Sequence, residues 1–70
     1  MQEIFNEMIC HQEKKLLQIA NEILPNVTSD DILQPFDFPL LEQNPHFRYE
    51  EGFLKGLYAA QFAILNQNKV

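Results

Sequence analysis

Four prolines divide this chain into three parts. They all lie between positions 25 and 45, as Pro25, Pro35, Pro39 and Pro45. A proline in the interior of a helix removes a backbone hydrogen bond and clashes with the preceding turn, whereas the first helical position accepts it readily. We therefore expect long helices before Pro25 and after Pro45, with a structured connection at about residues 25–44.

The first part, residues 2–24, repeats its apolar side chains at helical spacing. A central stripe holds five of them, and four more lie beside it: Phe5, Ile9, Leu16, Ala20 and Ile23, flanked by Ile4, Met8, Ile19 and Leu24. Polar residues take the opposite face. This pattern predicts an amphipathic helix over about residues 2–24.

Gln12 interrupts that apolar stripe near its centre. A buried amide without hydrogen-bond partners costs about 1–3 kcal/mol. We expect Gln12 either to reach a loop carbonyl or stay hydrated near a chain crossing, or to fix the register of an interface, as a buried Asn does in a coiled coil.

The last part begins at Asn44, which can cap a helix whose first residue is Pro45. The expected helix runs over about residues 45–66. Its predicted inner stripe consists of Phe53, Leu57, Ala60 and Ile64. Three further apolar side chains lie beside this stripe: Tyr49, Leu54 and Leu65. More small and aromatic residues lie away from this stripe, so we expect this helix to be buried on more than one face.

The connection, residues 25–44, has two short helical signals. Thr28 or Ser29 can cap a turn that ends before Pro35, and Asp37 with Pro39 can begin a second. Its large apolar side chains should pack across the two long helices. The resulting fold class is all-α: one small domain, residues 1–70, built as an antiparallel hairpin of two long helices with a proline-rich connection containing one or two short helical turns.

Size and cysteine content favour association. A chain of 70 residues buries only about 60% of the surface that its unfolded form exposes, and Cys10, its single cysteine, cannot form an internal disulfide. We therefore expect a small intracellular interaction module, most readily a homodimer, or else an adaptor or chaperone-like partner of another helix. The expected interaction surface lies on the second long helix and comprises Gly52, Gly56, Tyr58, Ala59, Ala60, Phe62 and Ala63.

Three small residues of that surface, Gly52, Gly56 and Ala60, recur at a spacing of four. Such spacing permits a close helix crossing. Two interpretations stay open: an interface with a second chain, or close packing within this chain on the first helix or the connection.

Arg48 is the single arginine of the chain. Because the helix dipole disfavours a cation near a helix start, Arg48 should pair with Asp37, Glu42 or Glu51 as a structural clamp, or else bind an anion there. The alternative function is thus a small anion- or metal-binding accessory subunit that uses the region of His46, Arg48, Glu50 and Glu51.

No residue pattern indicates catalysis, a cofactor or a metal site. Glu7 with His11, and His46 with Glu50, stand four residues apart, but two ligands do not make a metal site. Cys10 lies next to His11, and adjacent helical side chains diverge by about 100°, so they do not form a nucleophile and base pair. We interpret Cys10 as a semi-buried thiol and expect no enzyme.

Charge argues against nucleic acid as a partner. The net charge is −5 and the pI is near 4.7, whereas nucleic-acid-binding domains usually carry a basic patch. The most apolar stretch, residues 52–65, contains Lys55 and is shorter than the roughly 20 residues that span a bilayer. Without a signal-peptide pattern, we expect a cytoplasmic protein that does not bind membranes.

Overall fold

The computed structural model describes residues 2–33 and 37–67, and within these ranges it is all-α with no strand. Helix α1 spans Gln2–Ile23 and helix α3 spans Pro45–Gln67. Between them lie a 3-10 turn, Asp31–Leu33, and the short helix α2, Pro39–Glu42. The predicted hairpin is confirmed, with both long helices ending within one residue of the expected positions. The expected stop at Pro35 lies outside the described residues.

Three local signals define where the elements begin. Asn44 caps α3, because its Oδ1 accepts a hydrogen bond of 2.9 Å from the Phe47 amide. Thr28 rather than Ser29 caps the 3-10 turn, since its Oγ1 accepts from the Asp31 amide at 3.3 Å and the Asp31 carboxylate accepts from the Thr28 amide at 3.0 Å. Helix α2 has Pro39 in its first turn, as predicted, but no side chain caps it, so the expected cap at Asp37 is wrong.

Helices α1 and α3 lie side by side over most of the long dimension of a molecule that measures 43 × 19 × 18 Å. We call residues 9–33 and 37–57 the connection half, and residues 2–8 and 58–67 the open half. Every buried apolar side chain of the described residues belongs to the connection half: Ile9, Leu16, Ile19, Ala20, Val27, Ile32, Leu41, Phe47, Leu54 and Leu57.

The connection supplies a third layer to that half, as the sequence predicts. Val27, Ile32 and Leu41 are buried against the two long helices. Asn21 joins α1 to the chain that follows it, because its Nδ2 donates to the Leu17 and Val27 carbonyl oxygens at 3.0 and 3.2 Å. The connection thus closes one end of the hairpin.

The side of α3 that faces α1 differs from the predicted inner stripe. Leu57 is buried, but Phe53 is 49% exposed and Ala60 is exposed, so their assignment to the core is wrong. The helix instead turns Phe47, Leu54 and the carboxylates described below toward α1. On α1, likewise, Ile4 and Met8 are exposed rather than packed beside the stripe.

Gln12 explains this rotation of α3. Its side chain is buried, and its Nε2 donates to the Glu50 main-chain oxygen at 3.0 Å and to Glu50 Oε1 at 2.9 Å. The acceptor carbonyl belongs to a helix within the same chain, so the expectations of a loop carbonyl, solvent or an interface are wrong. Because a buried amide requires partners, Gln12 holds a polar part of α3 in the centre of the hairpin.

Candidate interaction surface

All seven residues of the predicted interaction surface are exposed. They do not share one face, because successive helical residues turn by about 100°. Four of them point directly away from α1 and form what we call the outer face: Gly52, Gly56, Ala59 and Ala63. Tyr58 and Phe62 lie toward one side of the hairpin and Ala60 lies toward the other.

The two glycines of the outer face lie in open space. A Cβ atom added at Gly52 or Gly56 would meet no atom within 4 Å from elsewhere in the described part of the chain. The interpretation in which these glycines pack closely on α1 or on the described part of the connection is therefore wrong. No contact among the described residues explains their spacing.

A second uncovered surface lies along one side of the hairpin and includes both long helices. We call it the bare face and define it by Ile4 and Met8 of α1 with Phe53, Ala60 and Ile64 of α3. Ile4 is 62% exposed, Met8 43% and Phe53 49%, while Ala60 is exposed and Ile64 is half-buried. None of these five side chains is polar, so the surface is apolar from one helix to the other.

The opposite side of the open half is joined by polar contacts. Tyr58 Oη donates to Glu13 Oε2 at 2.8 Å, and Gln61 Nε2 donates to Gln2 Oε1 at 3.1 Å and to Asn6 Oδ1 at 2.9 Å. Burial raises the pKa of the Tyr58 hydroxyl, and the bond to Glu13 adds to this effect. This side therefore connects the helices to each other and differs in chemistry from the bare face.

A cleft of about 320 Å³ lies on that same side, toward the connection. Leu17, Ile32 and Leu54 supply apolar walls, and Glu13 and Tyr58 also line it. Its volume is at the lower limit of ordinary ligand pockets, and these last two side chains already bond to each other. The cleft is separate from the bare face.

Glu51 is the ionic partner of Arg48. The carboxylate of Glu51 is buried and lies 3.4 Å from Arg48 Nη1 and 3.9 Å from Lys55 Nζ. Among the three predicted carboxylates, the structure thus pairs Arg48 with Glu51. Arg48 is a structural clamp in this arrangement, because it compensates a carboxylate that has lost most of its water.

Glu50 is also buried and also compensated. Its Oε1 lies 3.4 Å from Lys15 Nζ and accepts the bond from Gln12. The hydrogen bond from Gln12 holds the pKa of Glu50 below its ordinary value, with further lowering by Lys15 and His46 and an opposing effect of burial. Because both carboxylates of the anion- or metal-binding alternative already have cationic partners, no observation in the described chain favours that alternative.

The remaining candidate residues are His11, His46 and Cys10. His11 and His46 are exposed, and the described residues contain no group of three His, Cys, Asp or Glu side chains placed to hold a metal ion. Cys10 is exposed, so the interpretation as a semi-buried thiol is wrong. It lies about 120° around α1 from Leu16, well away from the buried stripe.

Sequence reasoning missed Ile4, Met8 and Phe53 as surface residues because it assigned them to the core. Gln12 is the residue from which the actual packing side of α3 could have been predicted. A polar residue at the centre of an apolar stripe requires a polar partner on the facing helix, and Glu50 and Glu51 are the nearest such residues at the start of α3. Bringing them inward turns the apolar residues of α3 toward one side.

The bare face and the outer face are thus two surfaces that no other described part of the chain covers. In the part of the chain that the structure describes, no helix has both the length and the apolarity needed to cross a bilayer. No protein-family model matches the chain, and neither a curated protein nor a solved structure shows significant similarity to it.

Proposed function

We propose that this chain is a small protein–protein interaction module that acts as a homodimer, with no catalytic role. The observation that supports this proposal is the incomplete packing of the open half. None of its residues, 2–8 and 58–67, is buried. Yet several of its large apolar side chains face solvent, including Ile4 at 62% and Phe62 at 66% exposure.

Two helices alone cannot enclose a core along their whole length, because each buries one stripe against the other and leaves its flanks in water. In the connection half, Ile32 and Leu41 belong to a third layer that covers such a flank. The described residues supply no third layer to the open half. A partner chain would bury its apolar side chains in the same way.

A second copy of the chain is the partner that we propose. A domain of this size gains little stability from its own core, and burying additional apolar area by association is one of the few sources left to it. An adaptor or chaperone-like function would use the same surface for a helix of another protein. The two versions differ in whether the purified chain associates with itself.

Sedimentation equilibrium of the purified chain over a range of micromolar concentrations tests the proposal, with circular dichroism recorded on the same samples. We expect the average mass to rise from 8.2 kDa toward twice that value while the helical signal stays constant. A monomer that keeps full helicity at the highest concentration would overturn it. A helical chain that precipitates when alone would favour the heterotypic version instead.

A further inference from the structure

We infer that two copies pack through their bare faces in an antiparallel arrangement, so that the open halves overlap and the two connections lie at opposite ends of the dimer. This inference rests on the proposed self-association and adds the face and the orientation. The two copies are related by a two-fold axis, which is the commonest symmetry of homodimers. In the antiparallel arrangement this axis is perpendicular to the helices.

The chemistry of the bare face favours this face, rather than the other exposed surfaces, as the dimer interface. Both helices contribute large apolar side chains to it, Ile4 and Met8 from α1 and Phe53 from α3. From Phe53 to Ile64 it extends about 17 Å along α3, at 1.5 Å per residue. The other side of the open half is joined by hydrogen bonds from Gln61 to polar residues of α1, and the outer face offers mainly small side chains from one helix.

The distribution of charge favours a second copy in the antiparallel orientation. Residues 9–57 hold eight acidic and four basic residues, a net charge of −4, whereas residues 57–67 contain no charged residue. Glu3 and Glu7 are the two acidic residues of the open half; around α1 they lie about 140° and about 100° from Met8, and about 100° and about 60° from Ile4. Overlapping the open halves therefore brings the uncharged ends of α3 together and keeps the two connection halves, which carry the larger negative charge, apart.

The exposed area of the chain agrees with this arrangement. The surface amounts to 5176 Å², whereas a globular monomer of the same mass exposes about 4500 Å². The difference, roughly 600–700 Å², is close to the roughly 600–1,000 Å² that each partner buries in a stable dimer. A second copy that buries an area of this size would bring the exposed area per chain down to the globular value.

Two adjacent alanines provide a matched test of the face. Ala60 lies on the bare face and Ala59 on the outer face, and both are exposed helical positions. We expect Ala60→Glu to raise the dissociation constant of the dimer at least tenfold, because it places a charge between two apolar surfaces, and Ala59→Glu to leave it unchanged. The reverse result would overturn the inference and move the interface to the outer face. It would leave the proposed function intact, since that depends on whether the wild-type chain dimerises.

Met8 tests the antiparallel orientation, because a two-fold axis at this level of the hairpin places Met8 near its own copy. We expect Met8→Glu and Met8→Lys to be monomeric when separate and to form a mixed dimer when combined, with circular dichroism confirming that each is helical. Dissociation of both variants without recovery in the mixture would overturn the orientation. If either Met8 variant fails to fold, Ala60→Glu mixed with Ala60→Lys at the exposed position on α3 gives the same comparison: recovery would place Ala60 near its own copy, and no recovery would overturn the orientation.

Discussion

In the connection half, ten apolar side chains are buried between α1, α3 and a third layer, whereas in the open half α1 and α3 bury none between them. The difference does not come from helix quality, because both helices continue without interruption from one half into the other. It comes from the number of layers. A pair of amphipathic helices makes a core only where something covers the flank of the pair.

The largest expected effect is a difference in the free energy of unfolding between two variants, each of which replaces one phenylalanine in one of the two halves. Phe47 is fully buried and Phe62 is 66% exposed. We expect Phe47→Ala to cost about 3–5 kcal/mol, which is comparable with the whole stability of so small a core. At a concentration where the wild-type chain is monomeric, Phe62→Ala should cost less than about 0.5 kcal/mol.

Urea unfolding followed by circular dichroism measures both variants of this pair. An equal loss of stability in the two would show that the open half is packed as tightly as the connection half.

A smaller effect is expected at the polar contact in the centre of the hairpin. Gln12→Ala removes a buried amide that donates twice to Glu50 and should lower the free energy of unfolding by about 1–3 kcal/mol. Gln18 lies on the exposed side of the same helix and provides the control, since Gln18→Ala should be neutral or slightly stabilising. Similar urea midpoints for the two variants would contradict the assignment of Gln12 as the contact that orients α3.

The sequence predicts where the helices begin and end, but its hydrophobic pattern does not predict which side of α3 faces α1. The prolines and Asn44 set the helix ends to within one residue, because their effect is local. The rotation of α3 is not local. It depends on two carboxylates that become acceptable in the interior once Gln12, Lys15 and Arg48 compensate them, and a hydrophobic pattern counts such carboxylates as surface residues.

The same limitation affected the candidate surface. The sequence indicated that α3 has more apolar circumference than one partner helix can cover, and the exposed Tyr58 and Phe62 agree with this. It could not assign Phe53 to the surface or add Ile4 and Met8 from α1. Those assignments require knowledge of which side of each helix faces the other, which is set by contacts between residues distant in sequence.

The contribution of Glu50 should appear as a dependence on pH. Its folded-state pKa lies below the ordinary value of 4.5, so its stabilising effect is complete above that pH and is lost as the pH falls through the lowered folded-state value. We expect Glu50→Gln to reduce the decline in the urea midpoint between about pH 6 and about pH 3. Gln18→Ala, at an exposed position of α1, removes no titratable group and should keep the wild-type decline, and an unchanged decline in Glu50→Gln would refute this role.

The smallest expected effect has the opposite sign and concerns the outer face. Because a Cβ at Gly56 meets nothing within 4 Å from elsewhere in the described residues, Gly56→Ala should raise the free energy of unfolding by up to about 1 kcal/mol through helix propensity. Ala59→Gly, on the same face, should lower it by a similar amount. If Gly56→Ala instead weakens the dimer, the outer face rather than the bare face forms a close helix crossing.

The hydrogen bonds between α1 and α3 also suggest how the hairpin closes during folding. The bond from Gln12 to Glu50 joins residues 38 apart, and the bond from Gln61 to Gln2 joins residues 59 apart. Since the entropy of loop closure grows only with the logarithm of loop length, the longer closure costs only about 0.4 kcal/mol more. Chain length therefore does little to delay the open half. We expect the open half to join late and to fray early in hydrogen exchange instead because none of its side chains is buried within the single chain.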